Sequence, residues 1–210
     1  MTKHRTKHRI LVADDHAIVR TGLVSLLETE PDIDVVGEAC NGETAISLAL
    51  RLKPDIVIMD LMMPDVDGIA ATERILSAEP TIKVLVLTTS TVSDDLARAL
   101  DAGARGVITK NAEYAKLVAA IRDVAAGKIA VSSEVKHLID EDPPAPKLTP
   151  RQSDVLHSLT RGLSNQEIAK QFGIGRESVK EHIDSLYAKI GAANRTEAVA
   201  IAFRKHLLKF

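Results

Sequence analysis

Short β-branched and apolar runs alternate with longer amphipathic stretches over the first 126 positions. Ile10–Ala13, Val35–Ala39, Ile56–Asp60, Val84–Thr88 and Gly106–Thr109 read as strands. The stretches near 17–29, 42–52, 68–78, 93–102 and 113–126 carry helical spacing. IVIMD and VLVLT are almost wholly apolar, as parallel strands buried on both faces should be. Five strand–helix units in a row predict a doubly wound, five-stranded parallel sheet of order 2-1-3-4-5. Its functional groups should lie at the carboxyl ends of the strands.

The pattern weakens between Gly127 and Lys147. DEDPPAP, residues 140–146, joins acid to proline and cannot continue a helix. Residues 127–146 therefore read as an interdomain linker, with a short helix fitting around 133–139. Residues 147–210 read as a second, four-helix domain. Thr149–Gln152 is a capping box with Pro150 at the first helical position, Ser164–Glu167 is a second box, and Asn194 offers a cap with Glu197 three residues on. Gly162, Gly173 and Gly191 sit where helices should stop. A short helix, a tight turn at FGIG and a longer helix near Glu177–Ile190 make a helix-turn-helix pattern.

Charge sharpens the division into domains. The whole chain is near neutral, with 27 Lys+Arg against 29 Asp+Glu. Residues 1–126 hold 14 basic and 19 acidic side chains, a net of −5, whereas residues 147–210 hold 11 and 6, a net of +5. An acidic front and a basic back suggest different partners, the basic half suiting nucleic acid. Residues 1–8, MTKHRTKH, read as a short basic lead. No run approaches the roughly 18–20 apolar residues that span a bilayer, so no membrane association is expected. The single Cys40 excludes an intrachain disulfide framework and a Cys-based zinc site, and fits a reducing cytoplasm.

Polar groups close four of the strands. Asp14-Asp15 follow the first, Asp60 ends the third, Thr88 the fourth, and Lys110 follows the fifth. Taken singly, Asp15 could cap a helix, Thr88 a turn, and Lys110 could be solvated. Converging on one sheet edge, three carboxylates raise one another's pKa unless a cation compensates. Mg2+ meets that need, because it takes one or two carboxylates and leaves room for phosphate oxygens. An Asp beside such an ion can attack phosphorus and form an acyl phosphate.

VADDH, DLMMPDVDG, LTT and TK resemble the receiver domain of two-component response regulators. LTPRQSDVL with GLSNQEIAKQFGIGRESVKEHIDSLYAKIGAANRTEAV resembles the LuxR-type helix-turn-helix of the NarL/FixJ subfamily. The resemblance covers roughly 8–126 and 147–208. It implies a flavodoxin-like receiver over 9–126, a DNA-binding domain over 147–210, and a transcription regulator rather than an enzyme. Asp60 would be the phospho-acceptor, read by Thr88 and Lys110. Asp15, Asp14 and the Met62 backbone carbonyl would join Asp60 around Mg2+. The implied partners are a cognate sensor histidine kinase, the major groove of double-stranded promoter DNA, and a second copy of the chain on activation. Release and dimerisation of the helix-turn-helix domain would follow phosphorylation.

Within the DNA-binding domain, Val179, Ile183, Leu186 and Ile190 have core spacing. Arg176, Lys180, Glu181, His182, Asp184 and Lys189 are the candidate DNA residues, with Glu181 able to accept from cytosine N4. Arg151, Arg161, Lys170 and Arg195 add basic groups for phosphate. The last helix, near 194–208, either packs on its own domain or presents Ala198, Ile201, Ala202 and Lys205 to a partner copy.

Some positions depart from the family pattern. Val107 stands where the family places an aromatic that swings as Thr88 moves, and Thr89 is larger than usual. A second reading is therefore a phosphorylation-independent DNA-binding regulator whose receiver serves for dimerisation or protein interaction. A phosphatase is disfavoured, because Met62 stands where a general acid would be needed. A small-molecule sensor is disfavoured because Tyr114 is the one aromatic of the front half.

Overall fold

Successive residues of the central strands point to opposite faces of one sheet, and two separate hydrophobic clusters result. The computed structural model describes residues 7–144, 146, 148–205 and 207–208. Two compact units divide the chain between Pro143 and Pro144.

The first unit alternates β1 (His8–Ala13), α1 (Ala17–Leu27), β2 (Ile33–Ala39), α2 (Gly42–Leu52), β3 (Ile56–Met59), α3 (Gly68–Ala78), β4 (Lys83–Thr88), α4 (Ser93–Asp101), β5 (Gly106–Thr109) and α5 (Tyr114–Ala125). β6 (Ala130–Val131) and α6 (Ser133–Glu141) follow. All strand pairs are parallel. Leu11, Val57, Met59, Val84, Val86 and Val107 face one cluster, shared with residues of α2, α3, α4 and α6. Ile10, Val12, Ile56, Ile58, Leu85 and Ile108 face the other, shared with α1 and α5. The near-continuous apolar strands are thus explained by burial on both sides.

The sheet has six strands, in the order β2-β1-β3-β4-β5-β6, rather than the five expected. β6 is only two residues long and pairs Ala130 with Gly106 and Val131 with Val107. A two-residue strand carries no alternation to detect. α6 then lays Val135, fully buried, into the cluster that holds Val107, with Leu138 and Ile139 against it. The stretch 127–146, expected as a linker, therefore contributes a strand and a helix to the first unit.

In the second unit α7 (Pro150–Thr160), α8 (Asn165–Phe172), α9 (Arg176–Ile190) and α10 (Arg195–Arg204) are the helices among the described residues. α7 and α8 both begin with complete capping boxes, at Thr149/Gln152 and Ser164/Glu167. α8 and α9 end on Gly173 and Gly191 in the left-handed conformation. Val155, Leu156, Leu159, Ile168, Val179, Ile183, Leu186 and Ala202 form the core. Ala198 and Ile201 are buried as well, so the apolar face of α10 packs within its own domain. No helix among the described residues is long and apolar enough to cross a membrane.

Candidate functional site

β1 and β3 are adjacent and end level, with Ala13 opposite Met59, so Asp14 and Asp60 emerge side by side. The Asp60 N–H donates to the Ala13 carbonyl at 2.9 Å, continuing the ladder one residue beyond the strand. Gly68 fixes the return of the chain after Asp60: an added Cβ there would overlap the Asp60 carbonyl oxygen, so only glycine lets α3 start so close. Asp67 caps α3, accepting from the Ala70 N–H at 2.7 Å, and Asp65 takes a left-handed turn conformation. Neither turn aspartate belongs to the acid cluster.

Asp14 and Asp60 are both 2% exposed, and Thr88 is fully buried. Lys110 reaches back from the end of β5 and places its Nζ 2.7 Å from an oxygen of Asp14 and 2.7 Å from Oδ2 of Asp60. The other Asp60 oxygen receives only a long 3.4 Å bond from the Met62 N–H, while the Met62 side chain lies exposed. Burial pushes the Asp60 carboxyl above the ordinary carboxylate range, opposed by the Lys110 hydrogen bond and reinforced by the Asp14 charge. Burial also pulls Lys110 down. The hydrogen bonds and charges of Asp14 and Asp60 outweigh it, and the ammonium is held above its usual value.

Thr88 Oγ1 accepts from the Ser90 N–H at 2.9 Å, which leaves the hydroxyl proton available to donate elsewhere. Ser90 in turn donates from Oγ to Asp95 at 3.2 Å. Thr88 pairs with Thr109 in the β4–β5 register, so it lies next to the strand end that carries Lys110.

Asp14, Asp15, His16 and Asp60 each offer a donor atom within 4.8 Å of one another, which fits a divalent cation. Three carboxylates against the one Lys110 leave a local charge of −2, the complement of such an ion. His16 and Arg20 escaped the sequence reading. His16, not Asp15, is the N-cap of α1. Arg20 donates from Nη1 to the Asp14 carbonyl at 2.7 Å and from Nε to Glu38 at 3.2 Å, holding the β1–α1 loop. The VADDH motif contained the signal for His16. Arg20, six residues beyond Asp14, had none.

The second unit separates the candidate DNA residues. Lys180, Glu181 and Asp184 are exposed on α9, opposite the buried Val179, Ile183 and Leu186, with Arg176 exposed in its first turn. His182 is half-buried. Lys189 turns toward α7 and donates to the Gln152 side chain at 3.1 Å. Arg195 gives its guanidinium to the Leu159 and Leu163 carbonyls, both at 2.8 Å, and Arg151 stacks over Phe172 at 4.1 Å. Arg195 and Arg151 thus hold the domain together, whereas Lys180, Glu181 and Asp184 face outward.

Residues 10–122 match the response regulator receiver domain, and residues 146–202 match the bacterial regulatory proteins of the luxR family. The chain is a response regulator. Its relatives include the transcriptional regulatory protein LiaR of Bacillus subtilis, 36% identical over 208 residues, covering 95% of this chain and 99% of LiaR. The response regulator protein VraR of Staphylococcus aureus is 37% identical over 206 residues, covering 96% and 99%. Among solved structures, the response regulator ChrA of a heme-sensing two-component system is 34% identical, with a TM-score of 0.57 over 96% of this chain and 99% of ChrA. RcsB of Salmonella enterica serovar Typhimurium, bound to a promoter in the presence of a phosphomimetic, is 26% identical, with a TM-score of 0.68 over 95% and 99%. This response regulator thus pairs a receiver with a luxR-family helical domain along nearly its whole length.

Proposed function

We propose that this response regulator is switched by Mg2+-dependent phosphorylation of Asp60 by a cognate sensor histidine kinase, and then controls transcription by binding promoter DNA as a homodimer. The observation that carries the reading is the buried Asp60 at the end of β3, with one oxygen held by Lys110 and the other nearly free. That freer carboxylate oxygen attacks phosphorus, and the bond from phosphorus to the kinase imidazole nitrogen breaks as the acyl phosphate forms. Asp14, Asp15, Asp60 and the Met62 carbonyl would hold Mg2+, which when bound neutralises charge between the acids and the phosphoryl oxygens. Lys110 is already at Asp60 and donates to a new phosphoryl oxygen. The Thr88 hydroxyl, with its proton uncommitted, donates to another.

The exposed arc of α9 suits the major groove. Lys180 and Arg176 are placed for phosphate or base contact, and Glu181 for a cytosine N4 donor, while Lys189 must leave Gln152 to reach a phosphate. The acidic front and basic back support electrostatic masking of the DNA-binding domain at rest, which the conformational change on phosphorylation would relieve. For the dimer, α1 supplies an apolar face: Ile18 is 89% exposed, and Val19 and Leu26 are exposed beside it. The absence of a membrane-spanning helix among the described residues is compatible with cytoplasmic action.

A second reading, a phosphorylation-independent DNA-binding regulator whose receiver serves dimerisation or protein interaction, draws on Val107 and Thr89. One experiment separates the two. Acetyl phosphate with Mg2+ should produce a retarded Phos-tag band in wild type and none in Asp60→Ala, together with tighter DNA binding by the wild type only. Equal labelling of the Ala variant overturns the assignment of Asp60, and DNA binding indifferent to labelling favours the second reading.

A further inference from the structure

The acid pocket has a fourth donor that the phosphoryl switch does not use. His16 occupies the N-cap of α1, where Ser, Thr, Asp or Asn would normally accept a backbone N–H of the first turn. Its side chain makes no capping bond. The ring turns instead to the acids, with Nδ1 2.8 Å from Asp15 Oδ1 and 3.5 Å from Asp14 Oδ1. Its own backbone N–H donates to Asp14 Oδ1 at 2.9 Å, which fixes the start of the residue against the cluster.

We propose that His16 gives an imidazole nitrogen to the divalent cation of the receiver site and so shifts its preference from Mg2+ toward a first-row transition cation such as Mn2+. The inference rests on the reading that this site holds a divalent cation. Donors that share one ion at about 2.0–2.2 Å lie no more than about 4.4 Å apart. The four donors here already lie within 4.8 Å, so a small side-chain rotation completes the set. The His16 side chain is 66% exposed, so Nε2 can keep the ring proton in water while Nδ1 faces the acids. A neutral imidazole adds no charge to a cluster whose net −2 a divalent ion cancels. It adds affinity selectively, because Mg2+ prefers oxygen and its own waters whereas imidazole favours first-row transition ions.

The full chain loaded with Mn2+ and studied by electron spin-echo envelope modulation tests this directly, since the method reads nitrogen bound to the metal. Wild type should show imidazole 14N coupling. His16→Asn should lose it and bind Mn2+ about ten-fold more weakly, while Mg2+ affinity, read by displacement of Mn2+, stays unchanged. Asn is itself a favoured N-cap, so α1 is kept, and a thermal melt monitors that. Mn2+ bound without nitrogen coupling in wild type, or coupling that survives in His16→Asn, overturns the role of His16 and leaves the cation site standing. Failure of Mn2+ to bind at all overturns the cation site as well.

Discussion

Lys110 Nζ lies 2.7 Å from Oδ2 of Asp60, so in this pocket a lysine supplies part of the positive charge that a metal would bring. The same ammonium is equally close to Asp14. Lys110→Met leaves the buried carboxylates facing one another, a loss of about 3 kcal/mol on the scale of broken buried pairs. An ion that binds only the folded state should recover much of it. Melts in EDTA should therefore show a large deficit that Mg2+ narrows, and calorimetry should show tighter Mg2+ binding than in wild type. A deficit indifferent to Mg2+ would mean that Lys110 acts by packing rather than by charge.

The raised Asp60 pKa has a stability consequence with a definite sign. Burial is its main cause, and a carboxyl raised in the folded state favours folding below its unfolded value, here 3.8. That contribution is lost as pH rises through the folded value, so at pH 7 the ionised Asp60 is a burden on the ion-free protein. Asp60→Asn removes the burden while Asp14 still holds Lys110. In EDTA the variant should melt about 3 °C higher than wild type at pH 7, equivalent to about 1 kcal/mol. The gap should shrink as pH falls toward 4. A variant that melts lower at pH 7 would show that the Lys110 bond outweighs burial.

Much of this was legible in the sequence because burial on both faces writes itself as unbroken apolar runs. IVIMD and VLVLT located β3 and β4, and polar residues at their ends located Asp60 and Thr88. The second domain was legible through its caps, since Thr149, Ser164 and Asn194 each accept the bond that their spacing implied. β6 was not legible, because two residues against Gly106 and Val107 show no period. Side-chain destinations were not legible either. Arg195 looked like a phosphate contact by charge, and only the fold shows two carbonyls in its reach.

Val107 is fully buried in the cluster that also holds Val135 of α6 and Leu96 of α4. The space around Val107 is filled by side chains of α4 and α6. Val107→Tyr should therefore not restore a switch but overpack this cluster, at about 1–3 kcal/mol. Hydrogen exchange of residues 133–141 should quicken in the variant, while the helices of the second unit stay protected. Unchanged protection of α6 would show that space for a ring exists.

Arg195 spans the turn between α7 and α8, donating to the Leu163 carbonyl and to the Leu159 carbonyl, which also accepts from the Gly162 N–H at 3.0 Å. Arg195→Ala should destabilise the second unit by about 1–3 kcal/mol, the scale of bonds to a charged group together with the Leu163 carbonyl left without that donor. Arg195→Lys should recover only part, since one ammonium lacks the planar fork that reaches both oxygens. Urea unfolding followed by circular dichroism checks both variants. If the losses appear only in DNA affinity and not in unfolding, Arg195 is a phosphate contact after all.

The exposed face of α1 is where the proposed dimer would form. Arg20 is the only charged residue of this helix, and Ile18 stands 89% exposed one residue beyond its start. Apolar side chains left in water on a helix are ordinary singly, but Ile18, Val19 and Leu26 lie together and would gain by burial against a second copy. Ile18→Asp should leave phosphorylation of Asp60 intact, because its side chain takes no part in the acid cluster. It should abolish the dimer that labelling produces. Sedimentation velocity of labelled wild type and variant, with Phos-tag electrophoresis on the same samples, reads both properties at once. A labelled Ile18→Asp protein that still dimerises would move the dimer contact away from α1.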